Sequence, residues 1–164
     1  MSVYLSFAQV YRDTSLNIFP NEATLKQAFV EALKEELKRS PCNSYVVEHM
    51  LLPVLDETLK GKRPDIRVSN LVIEIEPPGA GLDIGRQQLH DYMNRLYMQV
   101  DGRVNVLGMV TDGINAELWV KSGNIVKILL SGDMPSVATQ AIQLLCSNKI
   151  PVVTPEDLVR LFGV

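Results

Sequence analysis

The sequence has few cysteines and no long apolar run, and each absence excludes a class of protein. Cys42 and Cys146 lie far apart without companion spacing, so they indicate neither a zinc motif nor a disulfide framework, and buried thiols are expected. No segment approaches the roughly 18 apolar residues of a membrane span, and the first residues lack the charged start and apolar core that are typical of a signal peptide. A cytoplasmic protein without membrane contact is therefore predicted.

An excess of positive charge is also missing. The net charge is −3 and the isoelectric point is near 5.4. Because lysine and arginine supply most non-specific affinity for nucleic acids, this chain alone is expected to bind DNA weakly. The segment Gly79-Ala80-Gly81 lacks the third glycine and the lysine of a phosphate-binding loop, so no nucleotide site is predicted. With 46% hydrophobic residues, the composition is that of one folded domain.

The most informative stretch runs from residue 63 to residue 79 and has the alternating pattern of a half-buried β-hairpin. Apolar residues at one parity of both strands predict a buried face. The other parity holds most of the charged residues. A turn at Ser69-Asn70 sets a register in which Asp65 lies opposite Glu74, with Glu76 two residues further along the same face.

Three carboxylates on one hairpin face have two explanations. Directly opposed side chains have Cβ atoms roughly 4.5–5.5 Å apart, so Asp65 and Glu74 repel unless a cation lies between them, and without one at least one pKa of the pair is expected to be raised. Hard divalent cations prefer such oxygen ligands. A solvated acidic face, partly neutralised by Arg67, explains the same residues, and the pattern alone leaves both explanations open.

This hairpin resembles the active-site hairpin of the PD-(D/E)xK nucleases, the restriction-endonuclease-like superfamily. Pro64-Asp65 resembles the PD pair, and Glu74-Ile75-Glu76 stands where the family has an acid, a spacer and usually a lysine. Some members with glutamate at the third position still cleave, and inactive members also exist. The resemblance implies that Asp65 and Glu74 hold Mg²⁺, with Mn²⁺ as a substitute. It also implies that Glu76 is a further ligand or a base that acts on water.

Two further motifs extend the resemblance. Gln88 and Tyr92 are similar to the QxxxY motif of RecB-like nucleases and of the restriction subunits of type I systems, which implies that they position water at the metal or the nucleic-acid backbone. Gln88 is therefore counted among the catalytic residues. The segment from Thr111 to Trp119 resembles a strand-turn-strand unit of the type I nuclease domains, so the resemblance covers about residues 22 to 130.

Glu22 begins the first long predicted helix, which has Asn21 as its N-cap. Its position resembles that of the additional acid that many of these nucleases contribute from their first helix, which implies a third metal ligand. A favourable interaction with the helix dipole explains Glu22 equally without a metal.

The predicted elements have the order of the superfamily core, αβββαβ, in an α/β fold with a mixed β-sheet flanked by helices. They comprise a helix from Asn21 to about Ser40, a strand within 44–52, the hairpin, a helix over 83–99, a buried strand over 104–111, a second hairpin over 116–130 and a helix over 135–146. Residues 1–150 are predicted as the nuclease-like domain. Residues 151–164 are predicted as a short C-terminal helix that resembles the start of a connector to a further domain.

These observations predict a metal-dependent DNA endonuclease domain of the restriction or restriction-modification type, which hydrolyses phosphodiester bonds. Double-stranded DNA is the expected partner, bound with help from another domain or subunit, and a homodimer is compatible with this expectation. Two alternatives stay open: a degenerate nuclease-fold module that binds nucleic acid or assembles without cleaving, and a metal-independent domain whose acidic patch contacts a basic partner. The residues expected to contact nucleic acid are Lys60, Lys62, Arg63, Arg67, Arg86 and Tyr92.

Overall fold

The computed structural model describes residues 4–42, 47–49, 65–99 and 105–147 of the chain, and within these ranges it is a mixed α/β fold with four helices and six strands. The elements, in chain order, are α1 Phe7–Ser15, α2 Glu22–Lys38, β1 Glu48–His49, β2 Ile66–Val68, β3 Leu71–Ile75, α3 Asp83–Gln99, β4 Val106–Thr111, β5 Asn115–Ser122, β6 Ile125–Asp133 and α4 Met134–Ser147. The predicted helix within 151–164 lies outside the described residues, as do Lys60, Lys62 and Arg63.

The strands form one open mixed sheet in the order β1-β2-β3-β4-β5-β6. All neighbouring pairs are antiparallel except β3 and β4, which are parallel and are joined through α3. Because β3 and β4 run the same way, their carboxyl ends lie at one edge of the sheet. This edge carries the residues that follow β3 and β4, including Glu76 and Asp112.

The hairpin has the predicted register, with Val68 paired to Leu71 and Ile66 paired to Ile73. Ser69 in the turn has a φ of 53°, which is the left-handed conformation that short hairpin turns use. The expectation of a half-buried strand is wrong for β3, since all five of its residues are buried. The cause is α3, which packs on the face of β3 that the alternation assigns to solvent.

Two apolar layers cover the two faces of the sheet. On one face, buried residues of α1, α2 and α4 form one apolar cluster with the apolar parity of the hairpin and with β4 and β5. On the other, Leu89, Met93 and Leu96 of α3 pack on Val72 and the neighbouring strands. Gly108 of β4 admits this close approach, because a Cβ atom there would collide with the Met93 side chain. Helix α3 thereby packs closely on β3 and β4.

Local capping fixes where α2 begins. The Asn21 side chain accepts a hydrogen bond from the backbone N–H of Thr24 at 2.9 Å, and the Thr24 side-chain oxygen accepts one from the backbone N–H of Asn21 at 3.4 Å. Such a capping box satisfies two N–H groups that the first helical turn leaves free. The predicted N-cap is confirmed, and Glu22 is the first residue of the helix.

The two cysteines are joined in a disulfide, so the expectation of separate buried thiols is wrong. Cys42 follows the end of α2 and Cys146 lies in the last turn of α4, 104 positions away in sequence. Both helices lie on the same face of the sheet, and this non-local packing brings their ends together.

Among the described helices, none combines the length and apolar character that crossing a membrane requires.

Candidate active site

Acidic side chains gather where β3 and β4 end. The backbone N–H of Glu76 donates to the carbonyl of Thr111 at 2.8 Å, which continues the parallel pairing one residue past β3. The carboxylate of Asp112 accepts three backbone N–H groups, from Gly81 at 2.9 Å, Ile114 at 3.0 Å and Asn115 at 2.9 Å. Asp112 therefore has a structural role, because it fixes the loops that border the site.

Three acids from the hairpin are buried at this edge. Asp65, Glu74 and Glu76 are 7%, 5% and 7% exposed, respectively. Asp65 Oδ2 accepts the backbone N–H of Ile75 at 2.8 Å, while Glu74 Oε2 is buried and has no hydrogen-bond partner. Burial of a carboxylate oxygen without a partner is costly, so this atom is either protonated or reserved for a ligand.

The electrostatics of Glu74 follow from this burial. Desolvation raises its pKa to about 9, with further contributions from the charges of Asp65, Glu76 and Glu22 and from a side-chain hydrogen bond to Asp65. A pKa this far above neutral favours the protonated form of Glu74 at neutral pH in the metal-free protein. The predicted opposition of these two carboxyl groups is present, and it has the raised pKa that two opposed acids require.

Glu76 lies against the first turn of α3. A Cβ atom at Gly85 would be 2.6 Å from Glu76 Cδ, so only glycine leaves room for this side chain. Burial and the charge of Glu22 raise the pKa of Glu76, while a hydrogen bond from the backbone N–H of Gly85 opposes that rise. The Glu76 side chain thus lies at the N-terminus of α3, where free N–H groups favour negative charge.

Helix α2 contributes two charged residues to the same site. Glu22 has a raised pKa because of burial and the nearby charge of Asp65. Lys26, one turn later, places Nζ 3.6 Å from Asp65 Oδ1. The sequence analysis missed Lys26, although its spacing of four from Glu22 puts both residues on one helix face. We call this group the acidic cluster. It contains one cation, and its members are Glu22, Lys26, Asp65, Glu74 and Glu76.

A divalent metal fits part of this cluster. No group of three or more histidine, cysteine, aspartate or glutamate side chains in the described ranges is arranged to hold a metal ion. Mg²⁺, however, is usually held by one or two carboxylates, with water and substrate phosphate as its other ligands. Asp65 and Glu74 provide two adjacent carboxyl groups of this kind, and Oε2 of Glu74 has no hydrogen-bond partner that a metal would have to displace. Glu22 as a third ligand stays a prediction.

The QxxxY residues lie on α3. Gln88 is exposed, and Tyr92, one turn later, is half-buried. Burial raises the pKa of Tyr92 to about 12, and the charges of Glu74 and Asp65 add to this rise. Tyr92 therefore borders the acidic cluster, and the exposed amide of Gln88 lies one helical turn before it.

The predicted phosphate-binding residues are not gathered in one described patch. Arg67 donates from Nε to the backbone carbonyl of Ser69 at 3.1 Å in the hairpin turn. Arg86 is held by two hydrogen bonds of 2.7 Å to Glu117 and one of 3.0 Å to Asp83. A phosphate contact by Arg86 would require exchange of these bonds, which weighs against the predicted role.

Comparison of the chain with protein-family models, curated proteins and solved structures found no match. The resemblance to the nucleases therefore depends on the hairpin, the QxxxY spacing and the order of elements.

Proposed function

We propose that this chain is a restriction-endonuclease-like domain that hydrolyses phosphodiester bonds in double-stranded DNA with Mg²⁺ as cofactor. The observation that supports the proposal most directly is the buried, opposed pair of Asp65 and Glu74 with one carboxyl oxygen left without a partner. A pair of this kind destabilises the metal-free protein, and a bound cation would relieve the strain. The location at the carboxyl edge of two parallel strands is also typical of ligand sites in open α/β sheets.

The proposed reaction has three parts. The oxygen of a water molecule bonds to phosphorus, the bond from phosphorus to one sugar oxygen breaks, and that oxygen leaves with the electron pair and takes up a proton. When bound, a divalent cation supplies a Lewis acid that activates water and offsets phosphate charge. Asp65 and Glu74 would hold this cation. Tyr92 and Gln88 would orient water or the DNA backbone from the adjacent helix.

Relaxation of a supercoiled plasmid tests the proposal. The wild-type domain is expected to nick the plasmid with Mg²⁺ or Mn²⁺ and to be inactive with a chelator. Asp65→Asn and Glu74→Gln preserve shape and should slow nicking at least about 100-fold, the order found when a group that stabilises transition-state charge is removed.

The matched control is Glu35→Gln. Glu35 pairs with Lys38 near the other end of α2, so this variant removes a carboxylate far from the site. It should nick at the wild-type rate. A wild type that never nicks, or variants at Asp65 and Glu74 that nick as fast as wild type, would rule the proposal out.

One observation favours a second function, a nuclease-fold module that binds nucleic acid without cleaving. Glu76 occupies the position where the resembling family usually has lysine, and its side chain is bound at the N-terminus of α3. A Glu76→Lys variant separates the two functions. If wild type is inactive and Glu76→Lys cleaves, the native domain is a non-catalytic binder.

A further inference from the structure

The acidic cluster has one lysine that the resemblance does not predict. Four carboxyl groups, those of Glu22, Asp65, Glu74 and Glu76, influence one another's charge at this site. In the described part of the chain, Lys26 is the cation that forms an ion pair with one of these groups, Asp65. Its place in the site comes from α2 rather than from the hairpin.

The contact between Lys26 and Asp65 is loose. Nζ lies 3.6 Å from Oδ1, whereas charge-assisted hydrogen bonds are about 2.7–2.9 Å long. The other oxygen, Oδ2, is already held by the N–H of Ile75 at 2.8 Å. The Asp65 carboxylate is thus fixed by the backbone, and its Oδ1 is available for exchange between the ammonium and another cation.

The Lys26 side chain has the reach for a second position. The side chain is 18% exposed, so most of it is buried while part of it remains accessible to solvent. Lysine carries its charge on a flexible four-carbon stem with three rotatable donors. A divalent cation bound at Asp65 would repel the ammonium from Oδ1, and the phosphate of a bound substrate would offer it a new source of negative charge.

We propose that Lys26 is a catalytic residue of the reaction assigned above, so the inference rests on the proposed function. In the metal-free protein the ammonium neutralises Asp65. When metal and substrate are bound, it donates hydrogen bonds to a non-bridging oxygen of the scissile phosphate. Charge accumulates on these oxygens as water bonds to phosphorus, and a fixed cation stabilises it. Glu76, whose carboxyl group is held against Gly85, does not supply such positive charge.

Two measurements on the whole chain test this inference. Mn²⁺ affinity is measured by calorimetry without DNA, and the rate of plasmid nicking is measured at saturating Mn²⁺. Lys26→Met removes the charge but keeps a stem of similar length. It should bind Mn²⁺ at least as tightly as wild type, because a competing cation is gone, and should nick about 100-fold more slowly.

Lys34→Met is the matched control, since Lys34 is exposed on the same helix two turns further along. It should match wild type in both measurements. If Lys26→Met does not fold, Lys26→Gln, which can still donate a hydrogen bond to Asp65, has the same expected result.

The outcomes separate this inference from the proposed function. If the Lys26 variants nick at the wild-type rate with saturating Mn²⁺, Lys26 is only a counter-ion, and the inference fails while the proposed function stands. If Mn²⁺ affinity falls in parallel with nicking, the residue acts through metal binding, and the inference also fails. If wild type binds Mn²⁺ but does not nick, the proposed function fails, and the inference fails with it.

Discussion

Two groups of charged side chains border α3, and their electrostatics are opposite. In the acidic cluster, burial and neighbouring acids raise the pKa of Glu74 to about 9, and one of its oxygens has no partner. In the second group, the paired cluster of Asp83, Arg86, Glu117 and Trp119, hydrogen bonds from Arg86 lower the pKa of Glu117. Both oxygens of Glu117 accept hydrogen bonds, and Oε1 also accepts from Trp119 Nε1 at 3.0 Å.

The difference shows that the stability of the fold accounts for only one of the two groups. In the paired cluster Glu117 stabilises the native state, and its hydrogen bonds with Arg86 tie α3 to β5. In the acidic cluster the native state holds like charges together at a cost, and Lys26 offsets only part of it. A buried group with an unfavourable charge environment is a functional-site candidate, because folding by itself does not favour such an arrangement.

The largest expected effect that tests this contrast is the pH dependence contributed by Glu74. Its pKa is raised in the folded state, so the unfolded chain loses this proton first, near its ordinary pKa of 4.5. The folded state therefore loses stability as pH rises from about 4.5 to about 9, by up to roughly 1.4 kcal/mol per pH unit. Glu74→Gln removes this titration, so it should be more stable than wild type by several kcal/mol at pH 8 and about equal at pH 4.

Urea denaturation of both proteins across this pH range measures the effect. The informative quantity is the difference between the two stability curves, since groups outside the acidic cluster titrate equally in both. Curves that stay parallel from acid to alkaline pH would mean that Glu74 is not held protonated, and the contrast between the clusters would lose its main support.

The paired cluster should respond in the opposite direction. Arg86 donates two hydrogen bonds of 2.7 Å to the Glu117 carboxylate. Because Glu117→Gln removes the charge of this acceptor, we expect a loss of about 2 kcal/mol in the free energy of unfolding at pH 7. Because the pKa of Glu117 is lowered, its contribution is present above its unfolded pKa and is lost as pH falls through the folded value.

A double-mutant cycle with Arg86→Met isolates the pair. The two single variants should be similarly destabilised, and the double variant should be little worse than either, since the interaction is already lost. Fully additive losses would show that Arg86 and Glu117 do not stabilise each other, and would leave Arg86 available for the predicted phosphate contact.

The sequence predicts the parts of this contrast that depend on local geometry. The parity of the hairpin and its short turn determine the register, and the register alone places Asp65 beside Glu74. The cap at Asn21 likewise follows from side chains within one helical turn. These features require no knowledge of what packs on the sheet.

The remaining features arise from contacts between distant segments. Burial of Glu74 and Glu76 depends on α3 covering the outer face of β3, and Lys26 reaches Asp65 only because α2 packs beside the hairpin. Arg86 was assigned to phosphate because its partner Glu117 lies 31 positions further along the chain. The Cys42–Cys146 disulfide was missed for the same reason. Alternation and spacing contain no information about such pairings.

A smaller effect is expected at the boundary between the two clusters. Gly85→Ala places a Cβ atom 2.6 Å from Glu76 Cδ, so the Glu76 side chain must move away from the first turn of α3. We expect a loss of about 1–2 kcal/mol by thermal or urea unfolding, within the range for overpacking of a buried contact. In a Glu76→Ala background the same change should cost less. An equal cost in both backgrounds would show that Glu76 is not what requires glycine at this position.

The smallest effect on stability is expected at Gln88, where structure and function should separate most clearly. Gln88 is exposed on α3, so Gln88→Ala should change the free energy of unfolding by less than about 0.5 kcal/mol. If its amide orients water or the DNA backbone, plasmid nicking should nevertheless fall about 10-fold, because misplaced reactants lose rate without loss of fold. Gln87→Ala is the control, since Gln87 is also exposed but points to a different side of the helix. Equal nicking by both variants would remove Gln88 from the site and leave the QxxxY resemblance to Tyr92 alone, while the case for Asp65 and Glu74, which depends on their burial and opposition, would be unaffected.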